Sequence, residues 1–284
     1  MTYLQIYEDV LALVLGAVFG SFINCMAWRI VHHESVLKGR SHCATCGHPL
    51  GAGDLVPIFS YIFLKGRCRY CGEKISPRYM IVEVLNACAF LGIAIRYPLA
   101  PENLMRTSVI SPMEPVIPSG LSAALPADLS CIRWMALVCV LLGLSLVDLD
   151  SQEIPDRFPV AGIIIWAATL PLMPESIGLQ LKEGLIGAAL IGGGLLVVSL
   201  LFDKISGKEG LGGGDIKLFF VTGLYFGPWT GLFHLILSCI VGLIFVTVMK
   251  EKKIPFGPAI SIAAYICMLW GSSFMSWYFG LLGI

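Results

Sequence analysis

Charge is what this chain has least of. Asp, Glu, Lys and Arg make up 13% of its 284 residues, about half the roughly 25% usual in soluble domains. The charge that remains is balanced, nineteen basic against nineteen acidic residues, so there is no bulk positive field to hold a nucleic acid. Sizeable polar stretches are equally scarce; residues 32–78 form the only one. These shortages exclude an ordinary soluble protein, a disordered chain and a disulfide scaffold. What fills the chain instead is apolar: 57% of residues are hydrophobic and the mean hydropathy is +0.83. Several apolar runs approach the ~20 residues that cross a ~30 Å hydrocarbon layer. The composition is that of an all-α polytopic membrane protein, with the lipid bilayer as its solvent.

Eight spans are expected, near 8–31, 79–96, 131–149, 158–173, 183–202, 216–227, 229–249 and 258–280. The sixth is too short for a full crossing at ~1.5 Å per residue, so it is tilted, broken at Gly227-Pro228, or re-entrant. Fifteen of the nineteen Lys and Arg residues fall on the side of Arg29 and segment 32–78, against Arg96, Arg106, Arg133 and Lys182 on the other. The positive-inside rule makes the richer side cytoplasmic. Residues 1–18 have no basic n-region, carry Glu8 and Asp9 and run on to Val31, so they read as a span rather than a cleavable signal. The expected organisation is a first transmembrane helix (1–31), a cytoplasmic domain (32–78) and a transmembrane domain (79–284) with an outer loop at 97–130. That loop holds six of the sixteen prolines.

The polar segment contains Cys43-Ala-Thr-Cys46 and Cys68-Arg-Tyr-Cys71. Each pair can place two thiolates about 2.3 Å from one Zn²⁺, and two such knuckles close a tetrahedral site. Gly47 and Gly72 follow the second cysteine of each pair, where the backbone must turn tightly. In a reducing cytosol, two disulfides are the weaker interpretation. Four protein ligands leave no open position, so the zinc is structural, and so short a segment needs it to fold. His42 and His48 flank the first knuckle, as extra ligands or as solvated neighbours. The remaining six cysteines read as small apolar packing residues.

Acids beside a span are functional candidates by default. Leu141–Val147 runs straight into Asp148-Leu149-Asp150, with Ile154-Pro155-Asp156 following, and Gly210-Leu211-Gly212-Gly213-Gly214-Asp215-Ile216-Lys217 opens the sixth span. By the topology above, both acids lie at cytoplasmic helix ends. Two aspartates within hydrogen-bond reach share one proton. One then deprotonates water while the other protonates a scissile carbonyl. The glycines allow close backbone approach and positive φ. The plainer alternative is a glycine-rich interfacial loop with a solvated Asp215, and an Asp148 that caps a helix. Phosphate binding fails, because Gly207-Lys208-Glu209 lacks the Ser/Thr of a P-loop.

Taken together, the chain resembles the type IV prepilin peptidases, bacterial membrane aspartic proteases with a GxGD-type site. The resemblance rests on Phe19-Gly20-Ser21-Phe22-Ile23-Asn24 with Arg29, the paired CxxC loop, and Ser76-Pro77-Arg78-Tyr79 with Glu83. It continues through Asp148 to Asp156, Gly210 to Lys217, and Pro255-Phe256-Gly257-Pro258. It implies Asp148 and Asp215 as the catalytic pair, with Asp150, Asp156, Gly212, Gly214 and Lys217 supporting them. It implies prepilin or pseudopilin substrates, cut after a leader glycine at the cytoplasmic face of the bacterial inner membrane. It also implies methylation of the new N-terminus from S-adenosylmethionine, although no Rossmann fingerprint is visible.

Several roles stay open at this level. Glu83 is expected to pair with nearby Arg78, or else to contact the methyl donor or the substrate amine. Lys217 either acts on Asp215 or snorkels to headgroups. Asn24 should face protein rather than lipid, and Arg29 either orients the active-site helices or bonds within its own span. His234 reads as a satisfied interior histidine, and Gly16, Gly20 and Ser21 as close helix packing. Two other functions compete: an aspartic protease of the same chemistry with a non-pilin client, and a zinc-stabilised scaffold or transporter.

Overall fold

The computed structural model describes residues 3–36, 38–98, 130–172, 177–207, 210–249 and 255–283. The expected outer loop lies almost wholly outside the described residues. The fold is helical, with two isolated β-bridges and no strand among the described residues. The helices are α1 (Tyr3–Val31), the short α2 (Phe59–Phe63), α3 (Arg78–Arg96), α4 (Ser130–Ser151), α5 (Arg157–Thr169), α6 (Ile177–Ala188), α7 (Gly194–Ser206), α8 (Gly213–Met249) and α9 (Gly257–Leu282). A π-helical turn, Ala189–Gly193, joins α6 to α7 in one long rod. Among the described residues, six stretches are long and apolar enough to cross a membrane, counting α6–α7 and α8 as one each, and α5 is a shorter apolar helix.

One of those six is in fact two. A straight α8 would hold Phe219 and His234 about 22 Å apart at 1.5 Å per residue, yet their ring centroids are 5.5 Å apart. The chain reverses at Gly227 (φ 66°, ψ −170°), a conformation closed to residues with a Cβ, and Pro228 follows. The two arms return along the same rod. Gly192 lies against Phe220 on the first arm and Ile191 against Gly231 on the second. The sixth and seventh expected spans are therefore the arms of a helical hairpin, the first of them short.

Small residues set the helix spacing. A Cβ on Gly16 would fall 2.7 Å from the Ala87 Cα, and one on Gly20 3.0 Å from the Glu83 Cα. With no side chain between them, α1 and α3 pack backbone to backbone, as small residues permit in membranes. Asn86 Nδ2 adds a 2.7 Å bond to the Gly16 carbonyl. The central helix is α4, which touches α1, α3, α5 and α9. Leu137, Leu144 and Val147 on α4 are fully buried.

The interior polar side chains are mostly paired. His234 is fully buried and only half satisfied: its Nε2 lies 3.1 Å from the Ile260 carbonyl, whereas its Nδ1 has no hydrogen-bond partner, so the expectation of a satisfied interior histidine holds for one ring nitrogen and not the other. Asn24 is buried at 3% exposure, facing protein. Arg29 acts neither within its span nor on the active-site helices. Its guanidinium donates to the carbonyls of Ser35, Val36, Lys38 and Gly39, gathering the chain that leaves α1.

Candidate active site and metal centre

The candidate metal centre assembles from two matching turns. Gly47 N–H donates to the Cys43 carbonyl at 2.9 Å, and Gly72 N–H to the Cys68 carbonyl at 3.0 Å. Both glycines adopt the left-handed conformation the spacing anticipates, φ 69° and 73°. The bridges His42–Pro49 and Arg67–Lys74 close the two knuckles in the same way. All four Sγ atoms of Cys43, Cys46, Cys68 and Cys71 lie within 4.8 Å of one another. Sulfurs bonded to one zinc at about 2.3 Å would sit close to 3.8 Å apart, so the residues fit the ion. Without a cation the thiols diverge. The Cys46 N–H is the main influence that brings Cys43 down to about 6. Although the Glu73 N–H favours the Cys71 thiolate, burial and the neighbouring sulfurs push Cys71 up to about 12. A divalent ion removes that conflict by binding four thiolates. The flanking histidines lie outside the ligand set: His48 stacks on Tyr70 and His42 sits edge-on to Trp28.

Beside the second knuckle, Asp54 accepts from Arg69 Nε at 2.7 Å, the Tyr70 hydroxyl at 3.0 Å and the Gly51 N–H at 3.1 Å. Against the effect of burial, these three donors hold its carboxyl below the usual carboxylate value.

The acids gather at the end of the bundle from which this segment emerges. Asp148 lies near the C-terminus of α4 and is 4% exposed. Gln152 then takes a left-handed conformation (φ 55°), and Pro155 prevents the helix from resuming. Across from Asp148, α9 begins. Its first-turn N–H groups have no intrahelical partner, and that of Gly257 donates to Asp148 Oδ2 at 2.8 Å. Only glycine fits there, because a Cβ would fall 2.6 Å from that oxygen and 2.9 Å from Leu144 Cδ2.

Asp215 sits in the first turn of α8, half-buried, with its N–H donating to the Gly212 carbonyl at 3.1 Å. An acid is favoured at that positive helix end. Gly214 brings this turn onto the α4–α5 connection, since a Cβ there would be 2.8 Å from the Ile154 Cβ. Gly212 leaves room for the Asp215 carboxylate, which a Cβ would approach to 3.1 Å. The turn that carries Asp215 is thus seated on the connection that follows Asp148, 67 positions earlier in the chain.

Two ion pairs brace this junction. Arg78, the first residue of α3, binds Asp150 with both terminal nitrogens, at 2.6 and 2.8 Å, and donates to the Leu146 carbonyl at 3.3 Å. Lys217 binds Asp156 Oδ1 at 2.5 Å. Both corrections to the expected pairings have a physical cause. Residues five apart on a helix point to different faces, so Arg78 reaches α4 and leaves Glu83 behind. Glu83, 7% exposed, accepts instead from the Ile58 N–H at 2.6 Å. Lys217 has a carboxylate within reach and pairs with Asp156 rather than with Asp215. The two residues not foreseen are Gly257 as a donor to Asp148 and Arg78 as the brace of α4. The Pro-Phe-Gly-Pro sequence, a glycine at a helix start, was the available signal for the first.

Comparison with known proteins agrees with this arrangement. Residues 14–97 match the bacterial Peptidase A24 N-terminal domain and residues 135–247 the type IV leader peptidase family. The prepilin leader peptidase/N-methyltransferase of Pseudomonas putida is 31% identical over 98% of this chain and 96% of that protein. The protein of the same name from Aeromonas salmonicida is 35% identical over 86% of this chain and 76% of its own length. The one from Bacillus subtilis is 28% identical, over 93% and 95%. No solved structure matches significantly. From the paired CxxC knuckles, the acids at the ends of α4 and α8, and full-length similarity to these relatives, the chain belongs to the type IV prepilin leader peptidase family of membrane enzymes.

Proposed function

We propose that this chain removes the leader peptide of type IV prepilins and pseudopilins at the cytoplasmic face of the bacterial inner membrane, using Asp148 and Asp215 as its acid–base pair. The observation that carries the reading is the seating of Gly214 on Ile154, which brings the Asp215 turn to the end of α4. In the resting pair one carboxyl holds the shared proton. The ionised partner takes a proton from a water whose oxygen attacks the scissile carbonyl, and the protonated partner gives its proton to the carbonyl oxygen. Collapse of the tetrahedral species returns a proton to the leaving amine. The Gly257 N–H occupies Asp148 Oδ2 and leaves the other oxygen for water or substrate. A pilin N-terminus is an apolar helix with a charged leader, so its scissile bond reaches the same membrane edge as these acids.

The four cysteines would hold one zinc ion as a structural crosslink; bound, it ties the two knuckles together and takes no part in hydrolysis. One zinc per chain by elemental analysis, lost in a Cys46→Ser, Cys71→Ser double variant, is the expected result.

The relatives' names include N-methyltransferase, and we extend methylation of the new N-terminus, with S-adenosylmethionine as donor, to this chain. Glu83 does not fit as the donor's ligand, because it is buried and already bound to Ile58; no other residue is assigned.

Mass spectrometry of a pilin N-terminus after co-expression tests both activities. Loss of the leader and a gain of one methyl group are expected. A pilin that keeps its leader, while other membrane proteins are cut, would instead favour a non-pilin client.

A further inference from the structure

The Cys-bearing segment carries an apolar surface that neither the zinc nor the acids explain. Val56, Phe59, Ile62 and Phe63 are 45%, 60%, 56% and 79% exposed, on and just before α2. Such a patch is costly in water.

Its depth decides what covers it. Helix α3 has 19 residues, about 28 Å at 1.5 Å each, so its two ends mark the two edges of a ~30 Å hydrocarbon layer. Glu83 lies five residues beyond Arg78, about 7 Å past that edge. The Ile58 N–H is 2.6 Å from the Glu83 carboxylate. A helical side chain leans toward the start of its helix, so the Glu83 carboxylate reaches back toward the edge, and Ile58 with the exposed side chains of α2 beside it lies close to that edge, within reach of the acyl chains. The contact is maintained against strain. Ile58 is β-branched yet has φ 64° and ψ −55°, and the Phe59 N–H closes a three-residue turn on the Pro57 carbonyl at 2.6 Å. Such a conformation persists only where surroundings impose it.

The polar side fits the same partner. A cleft of about 450 Å³ opens where the segment meets the start of α3, lined by Tyr61, Lys65, Arg67, Lys74 and Ser76 among others. Lys65 and Lys74 make no ion pair among the described residues. Cations beside exposed apolar side chains are the pattern of interfacial membrane anchors.

We propose that residues 55–63 form a re-entrant interfacial anchor. In it Phe59, Ile62 and Phe63 insert among lipid acyl chains, Glu83 holds the turn at the edge, and the Lys65/Lys74 cleft takes an anionic phospholipid headgroup. The segment is thereby docked on the bilayer rather than suspended from α1 and α3.

The test uses the full chain in nanodiscs of phosphatidylethanolamine and phosphatidylglycerol, with the photocrosslinker p-benzoylphenylalanine replacing Phe59 or Phe63, and Glu73 as a control. After illumination, mass spectrometry should find phospholipid adducts at 59 and 63 and none at 73. Absence of lipid adducts at 59 and 63 overturns the proposal, as does their replacement by adducts to a purified prepilin when one is added. Lys65→Gln and Lys74→Gln should each lower the share of phosphatidylglycerol among Phe63-site adducts roughly five-fold, the equivalent of about 1 kcal/mol per cation near an anionic surface. An unchanged share overturns the headgroup assignment.

Discussion

The two acid-bearing ends are built to different standards of rigidity. Asp148 is 4% exposed and held by the Gly257 N–H. The helix end that carries it is gripped by Arg78 at both Asp150 and the Leu146 carbonyl. Asp215 is half-buried, follows a loop with four glycines in six residues, and has for its nearest brace an ion pair whose side chains are 54% and 72% exposed. One acid is thus set in the bundle's core, whereas the other rides on a turn located mainly by the Gly214–Ile154 contact. In the proposed hydrolysis, the fixed carboxylate would supply the reference geometry and the adjustable one would close on the bond.

Experiments can break that comparison. The largest effect belongs to the acids themselves: Asp148→Asn and Asp215→Asn should each reduce leader cleavage by roughly 10²–10⁴-fold, measured on a purified prepilin with enzyme levels matched by immunoblot. Cleavage at wild-type rate in either would end the dyad assignment. Next comes Gly257→Ala, whose methyl group would meet both Asp148 and Leu144. Displacement of one carboxylate by about an ångström is expected to cost roughly a hundred-fold in turnover. A comparable loss from Gly213→Ala, where a Cβ meets nothing within 4 Å, would erase the distinction between the two ends.

The braces should rank by exposure. Arg78→Gln leaves Asp150 without its two-pronged partner and should slow cleavage roughly ten-fold, with Asp150→Asn giving a similar loss and the double variant little more. Lys217→Gln removes a solvent-screened pair and should change the rate less than about five-fold, and still less at high salt. If Lys217→Gln proved the more damaging of the two, the turn before α8 would be the rigid partner.

Particular residues show what could be read before the fold was known. The two cysteine knuckles were legible because all their information is local: cysteine spacing, then a glycine where the backbone turns left-handed. The placement of Asp148 and Asp215 at helix ends was legible because an acid at the end of an apolar run is conspicuous in so uncharged a chain. The break at Gly227-Pro228 was also visible, although only the 5.5 Å approach of Phe219 to His234 shows that the chain reverses there. The partners of charged residues were not legible. Arg78 was matched with Glu83 by proximity in sequence, and Lys217 was given to lipid or to Asp215; the structure takes Arg78 to Asp150, 72 positions away, and Lys217 to Asp156, 61 away. Sequence distance carries no information about such pairings, because long flexible side chains choose among whatever acids the packing delivers.

By itself, then, the chain's alternation of apolar runs and turn residues determined a helical membrane protein, two cysteine knuckles and two acids at helix ends, since each depends on solvent preference or on geometry within a few residues. The tertiary structure alone decided that the Asp215 turn is seated on the connection that follows Asp148, that an N–H from the start of the last helix holds one of the acids, and that Glu83 pins the Ile58 turn. Those outcomes depend on how closely helices approach. Here that approach is set by absent side chains, at Gly16, Gly20, Gly214 and Gly257, whose effect exists only when another part of the chain comes to occupy the space.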